Sequence, residues 1–388
     1  MTRGQQSSTR NLGVSSRPII FVQPHLEFGG AERQTVLLAN SFAESGEEVH
    51  VVLFEARGGL LPTLSGKVAV HDLGLESHGL LPLVAIRLRK KLEELPAGNV
   101  IIKLWSGILA TALIAPFSKK HNLIYTEDLD PREHAKYVRL GSLKQAIVKR
   151  VFRSAAHVVA NSELIAKAMT DVYRLDHLPK VVYPSISIEE IRSPALRTKH
   201  DWVIKCLDEE PRKLTVASTG SLKPLKGLDI TRAALEALEI ELNWLVIGEG
   251  ELASEIAGWS TDRIRLIHVP ATPRPYDLYA NVDVLVHSSR SEAFGIVLIE
   301  ALATGTPVIA SNTLGAQVIS DHMDGSTNFA TYTVDDVQGL AEQLRILLER
   351  VGKRGVEPDQ EELFLKLDSF TIAAAHAAWM AIFEQIQD

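Results

Sequence analysis

Glu292 and Glu300 lie eight positions apart around Phe294 and Gly295, in the segment SSRSEAFGIVLIEALATGTPVIAS at residues 288–311. The apolar, β-branched run VDVLVHS precedes this segment and helical periodicity follows it, so the amides of Ala293, Phe294, Gly295, Ile296 and Val297 fall at a helix N-terminus. Free N–H groups and the helix dipole favour an anion such as a diphosphate there. Gly295 lets a ligand approach closely. Glu300 is expected about two turns into the helix, roughly 9 Å along its axis, where a carboxylate can accept hydrogen bonds from sugar hydroxyls. Glu292 would stand at the mouth. A second candidate anion site is EFGGAER at 27–33, where Gly29 and Gly30 directly precede a helix that begins near Ala31.

These residues need strands and helices to hold them. The recurring unit is a short β-branched run, a Gly or polar turn, then a helical stretch, as parallel strands with crossover helices require. In the first half strands are expected at 18–24, 48–54, 99–105, 122–126, 156–160 and 180–184, and in the second at 213–219, 243–248, 263–269, 282–288 and 306–310. In the first helix Ala31, Thr35, Leu38 and Phe42 share a face, and Gly46 ends it. A chain of 388 residues suits two domains. The expected division is a disordered leader over 1–17, a first α/β domain over 18–190, a linker region over 191–212, a second α/β domain over 213–369, and a final helical stretch over 370–388 that can pack back on the first domain. Two doubly wound, Rossmann-like domains would face each other across a cleft at the carboxyl ends of their strands.

Composition narrows the classes. At 46% hydrophobic and 23% charged residues the chain matches a globular protein. A net charge of −7 argues against nucleic acid as a partner held by the overall field. Cys206 is the only cysteine, so an intramolecular disulfide is impossible and a cytoplasmic location is expected. No apolar run reaches the length of a membrane-spanning helix.

The segment around Glu292, Phe294, Gly295, Glu300, Ala303, Gly305, Pro307 and Val308 resembles glycosyltransferase family 4, retaining enzymes of the two-domain glycosyltransferase B fold. The resemblance implies transfer of a sugar from a nucleotide diphosphate sugar to an acceptor hydroxyl, with no cofactor and no metal. It implies that Glu292 contacts the donor sugar, Glu300 the ribose, and the amides of Phe294 to Val297 the diphosphate. TGSLKPLKG at 219–227 is similar to the family's phosphate-clamping loop, with Lys226 in place of its lysine. GEGE, with Gly248 and Gly250, and the tract around Val269 are similar to the segments lining the base pocket, and Gly29 and Gly30 to the loop facing the donor across the cleft.

Two departures bear on activity. Ser221 stands where the family usually has Arg, and Lys223 or Arg290 is the candidate substitute for that charge. The loop after NLIYT carries Glu127 and Asp128 where many relatives have a His, and either carboxylate could position the acceptor or stabilise an oxocarbenium-like centre. Asp128-x-Asp130 before Pro131 is a common solvent-facing turn, and no metal is expected on it. From Pro131 to Arg153 there are seven cations (Arg132, Lys136, Arg139, Lys144, Lys149, Arg150, Arg153) against Glu133, interleaved with apolar residues. That pattern suits docking on the anionic inner face of a membrane as well as a helix with a solvated basic side. The histidines, among them His25, His134, His157, His268, His287 and His322, show no metal-ligand spacing and are assigned no role, with His25 nearest to the Gly-Gly loop. Expected partners are the nucleotide-sugar donor and an acceptor in a polysaccharide, glycolipid or other lipid-linked glycan. A nucleotide-sugar epimerase or phosphorylase on the same fold, and a non-catalytic nucleotide-sugar-binding subunit, are the alternatives.

Overall fold

A computed structural model describes residues 17–75, 81–114, 120–193, 201–207, 213–351 and 360–387. The leader expected over 1–17, apart from Arg17, and residues 194–200 and 208–212 of the expected linker lie outside the described residues. Two parallel sheets organise the chain. The first contains β1 (Ile19–Gln23), β2 (Val49–Leu53), β3 (Ala69–Asp72), β4 (Asn99–Ile102), β5 (Asn122–Glu127), β6 (His157–Ala160) and β7 (Lys180–Val181), in the order β3-β2-β1-β4-β5-β6-β7. The second contains β8 (Leu214–Thr219), β9 (Leu242–Ile247), β10 (Ile264–Val269), β11 (Val284–His287), β12 (Val308–Ser311) and β13 (Phe329–Tyr332), in the order β10-β9-β8-β11-β12-β13.

The order reverses between β1 and β4 in the first sheet and between β8 and β11 in the second. In doubly wound sheets the crevice for ligands opens at such switch points, beyond the carboxyl ends of the strands. The architecture is the expected α/β arrangement of two Rossmann-like domains. Two edge strands were not anticipated from the sequence: β3 is four residues long and mostly exposed, and β13 follows the polar run Gly325-Ser-Thr-Asn. The strand expected over 99–105 stops at Ile102, because Leu104 takes a left-handed conformation (φ 60°) and opens the helix Leu104–Ala112.

Apolar side chains pack on both faces of each sheet, and buried strands such as Ile19–Gln23 and Leu242–Ile247 are covered on both sides. The first helix, Gly30–Glu44, buries Thr35, Leu38 and Phe42, as its periodicity requires. The C-terminal helix Ile372–Gln387 crosses back to the first sheet, where Trp379, Met380 and Phe383 join Phe42 in its core. Phe383 and Phe42 have ring centroids 6.0 Å apart. From the expected linker, Ile191, Val203 and Leu207 are buried in the core of the second sheet.

Truncating Phe383 to Ala removes a buried ring from the first domain's core, and a loss of about 3–5 kcal/mol is expected. Thermal unfolding followed by circular dichroism reads this as a clear drop in Tm. An unchanged Tm would mean that the last helix does not stabilise that domain.

Candidate active site

The second domain's contribution forms at its switch point. β8 ends in Thr219 and runs into the loop carrying Ser221, Lys223 and Lys226, while β11 ends in His287 and runs into the segment carrying Glu292. Ser288 Oγ donates to the Gly227 carbonyl (2.7 Å) and the Arg290 amide to the Leu225 carbonyl (2.8 Å), which fasten the two loops together. The Lys226 ammonium then meets the Glu292 carboxylate at 2.6 Å, and His287 Nε2 lies 3.2 Å from the same oxygen. Burial alone would push the Glu292 carboxyl up, but Lys226 and His287 hold it far below the usual carboxylate range. It is therefore an anion at any physiological pH. Burial pushes the His287 imidazole down, against the pull of the Glu292 carboxylate. Ser221, Lys226 and His287 line one cavity.

Gly295, at φ 82°, turns the chain into the helix Ile296–Ala303, a conformation in which a side chain would be strained. The first-turn amides of Ile296 and Val297 have no partner within the helix and face the mouth. Because the helix begins at Ile296, Glu300 stands one turn in rather than two. Gly248, at φ 147°, lets the loop after β9 press on the phosphate-loop candidate, since a Cβ there would lie 1.9 Å from the Gly220 carbonyl oxygen. The amide of Gly248 donates to the Val269 carbonyl, and the Val269 side chain is buried in the core, so only its backbone borders the site.

The first domain contributes from its own switch point. Gly29 caps the first helix in an extended conformation, and a Cβ on Gly30 would sit 3.4 Å from Ile296 Cδ1, so the N-termini of two helices from different domains meet across the cleft. One turn along each helix, the Arg33 guanidinium donates to the Glu300 carboxylate and to the Pro273 carbonyl at 2.6 Å. Burial raises the Glu300 carboxyl, and Arg33 offsets only part of that rise. Beside the Gly-Gly loop, Lys103 pairs with Asp128 at 3.0 Å, and burial pushes the Glu32 carboxyl up to about 7.

Several sequence expectations need correction. Glu127 does not present a carboxylate to the cleft. It is 1% exposed, accepts from Trp105 Nε1 (3.2 Å) and Tyr173 Oη (2.7 Å), and burial pushes its carboxyl up to about 8. Asp128 is committed to Lys103, and Asp130 to its neighbour Arg132. Arg290, one candidate for the absent Arg, is engaged in this structure by Asp229 at 2.7 Å, by Asp335 at 2.7 Å and by the Pro224 carbonyl of the loop itself. Lys223 is exposed and precedes the turn Pro224–Lys226. Ala293 and Phe294 are buried, and the Phe294 ring packs on Phe370 with centroids 5.4 Å apart, so their side chains serve the core. His25 Nδ1 accepts from the Glu27 amide at 3.4 Å beside the Gly-Gly loop.

Four site residues escaped the sequence reading: His287, Arg33, Glu32 and Lys103. The available signal was positional, since His287 and Lys103 close strands at the two switch points, and Glu32 and Arg33 lie in the first turn after Gly-Gly.

Two family models match the chain, one described as Glycosyltransferase Family 4 over residues 28–190 and one as Glycosyl transferases group 1 over residues 213–350. The D-inositol 3-phosphate glycosyltransferase of Rhodococcus erythropolis is 29% identical over 214 residues, which cover 50% of this chain and 47% of that protein. The sulfoquinovosyl transferase SQD2 of Arabidopsis thaliana is 28% identical over 179 residues, 44% of this chain and 34% of its own. The matched segments thus span about half or less of these relatives. Among solved structures, Anabaena HepE in complex with UDP and glucose covers 96% of this chain and 100% of its own at a TM-score of 0.77 and 19% identity. Sucrose-phosphate synthase from Thermosynechococcus elongatus covers 96% and 99% at 0.77 and 15% identity. The fold is glycosyltransferase B.

Glu127 gives a test of the corrected placement. Its folded-state carboxyl, at about 8 against an ordinary 4.5, holds a proton that the unfolded chain releases. Its contribution is fully present below the unfolded value and is lost as pH rises through the folded one. Wild-type Tm should therefore fall between pH 5 and 9 more steeply than that of Glu127→Gln, whatever the fixed cost of the amide. Parallel Tm curves would place Glu127 in solvent.

Proposed function

The chain belongs to glycosyltransferase family 4, and from that premise we propose that it transfers a sugar from a nucleotide diphosphate sugar to an acceptor hydroxyl with retention of anomeric configuration. The second domain would hold the donor and the first the acceptor. The observation that carries this reading is the cluster of half-buried Lys226 and Glu292 with buried His287 at the mouth of a helix whose next turn bears Glu300. The chemistry follows from the charges. A departing nucleoside diphosphate gains negative charge, which the Lys226 ammonium and the amides of Ile296 and Val297 are placed to meet. Glu292, kept anionic by its two neighbours, is suited to accept from donor-sugar hydroxyls and to favour positive charge at the anomeric carbon. Glu300 is suited to a ribose diol. The UDP and glucose named with Anabaena HepE support a nucleotide-sugar donor.

On this reading the charge of the leaving group is met without a metal, so a chelator should leave the rate unchanged. Lys226→Ala should lower kcat/KM roughly 10²–10³-fold, as loss of one preorganised stabilising group does. Because Glu292 loses its cation, the variant's Tm is expected to fall as well, and circular dichroism at the assay temperature checks that it is folded when rates are compared. The assay is release of nucleoside diphosphate from a panel of donors, chosen by thermal shift, where a ligand at 100 times its Kd adds about 2.7 kcal/mol. Near-normal turnover of Lys226→Ala would remove its assigned role. Donor binding without release would leave a non-catalytic binding protein, and conversion of the free donor to its epimer would indicate the epimerase alternative.

The same proposal extends to a cytoplasmic membrane face. Among the described residues no helix is long and apolar enough to cross a membrane. The helix Gly141–Ser154 buries Val148, Val151 and Phe152, while Tyr137, Leu140, Leu143 and Ile147 are exposed, with Leu140 at 64% and Leu143 at 59%. Exposed Arg139 and Arg150 flank them. Lys149 turns inward to the Val172 carbonyl, and Lys136 and Arg132, though exposed, pair with Glu133 and Asp130, so part of the basic charge counted in the sequence is already neutralised. Apolar side chains at headgroup depth with flanking cations suit anionic lipid. Binding to phosphatidylglycerol vesicles should weaken with salt and fall further in an Arg139→Glu, Arg150→Glu double variant. Absence of binding at low salt would refute the membrane role.

A further inference from the structure

The mouth of the helix Ile296–Ala303 is short of positive charge for the ligand it would hold. Lys226 already neutralises Glu292, Arg290 is engaged by Asp229 and Asp335, and Lys223 is exposed. A diphosphate seated there would face two carboxylates and one ammonium. The missing cation is present, but it comes from the other domain and is engaged elsewhere. Arg33 donates to Glu300, whose side chain is 3% exposed, and to the Pro273 carbonyl, and its guanidinium carbon lies 5.9 Å from the centre of the Tyr276 ring. It thus fills the space in which Glu300 would receive a ribose.

A ligand cannot use Glu300 without releasing Arg33. A half-buried guanidinium deprived of its anion loses a charge-assisted contact unless another anion replaces it. The geometry offers one. Gly30, one turn before Arg33, lies beside Ile296, one turn before Glu300: a Cβ added to Gly30 would sit 3.4 Å from Ile296 Cδ1. The diphosphate position therefore lies about one helical pitch, roughly 5.4 Å, from the present guanidinium contact. That is within reach of an arginine side chain, whose fork also matches phosphate oxygens.

We propose that Arg33 is a donor-positioning residue with two stations: it holds Glu300 while the cleft is empty, and when a ribose diol takes Glu300 it turns to the diphosphate and clamps the nucleotide from the first domain. The proposal rests on the donor site described above and adds a selectivity to it. A nucleoside alone must break the Arg33 to Glu300 contact with nothing to replace it, whereas a nucleoside diphosphate supplies the new partner.

The test compares binding of UDP, GDP and ADP, and of the nucleoside matching the best of them, by isothermal titration calorimetry. In wild type the diphosphate should bind far more tightly than the nucleoside. In Arg33→Ala diphosphate affinity should fall at least tenfold while nucleoside affinity holds or improves, so their ratio collapses. Arg33→Lys should fall between the two, because it keeps the charge without the fork. Ser221 lines the same cavity as Lys226, so Ser221→Arg added to Arg33→Ala should restore the ratio. A ratio that stays at the wild-type value in both Arg33 variants, or affinities for both ligands that fall together, would overturn the role of Arg33 while leaving the donor site standing. If wild type binds none of the three diphosphates, the donor site itself fails, and this inference with it.

Discussion

Two carboxylates on one short stretch of chain, the half-buried Glu292 at the mouth of a helix and the buried Glu300 one turn inside it, set the terms for the rest of the cleft. A carboxylate out of water needs a cation or a proton. Glu292 obtains its cation from Lys226 on the loop after β8, which requires that loop to lie against the one after β11. Glu300 obtains its cation from Arg33, which no element of its own domain supplies. The same requirement therefore fastens the loops of the second sheet and closes one domain on the other.

The fold makes those meetings possible by placing both switch points at one cleft. β1 and β4 open toward Gly29 and Lys103, and β8 and β11 toward Ser221, Lys226 and Glu292. Helix N-termini from both domains then converge, with Gly30 against Ile296. Two such ends without an anion between them are electrostatically unfavourable, which is one reason a cleft of this kind suits a diphosphate. The C-terminal helix adds a second connection between the domains. It leaves the second domain after Phe370 and packs on Phe42 of the first, so apolar burial also joins the two domains.

Much of this was legible in the sequence. Continuous β-branched runs marked most strands of both sheets, and Glu292 and Glu300 around Phe294 and Gly295 marked the helix mouth. What escaped has physical causes. β3 is short and exposed, without the apolar run of a buried strand. Arg33 meets a partner 267 positions away, and no local pattern records a contact of that range. His287 looks like a core histidine because it is one, buried at a strand end, with its ring nitrogen turned to Glu292. Glu127 was expected beside the reacting sugar because it lies in the loop after NLIYT, but as the last residue of β5 it points inward to Trp105 and Tyr173.

The most direct measurement is a crystal structure of the protein with a nucleoside diphosphate bound. The phosphates are expected against Lys226 and the amides of Ile296 and Val297, with the ribose hydroxyls on Glu300. A nucleotide seated away from this helix mouth, or bound there with its phosphates pointing away from Lys226, would contradict the assignment of the donor site.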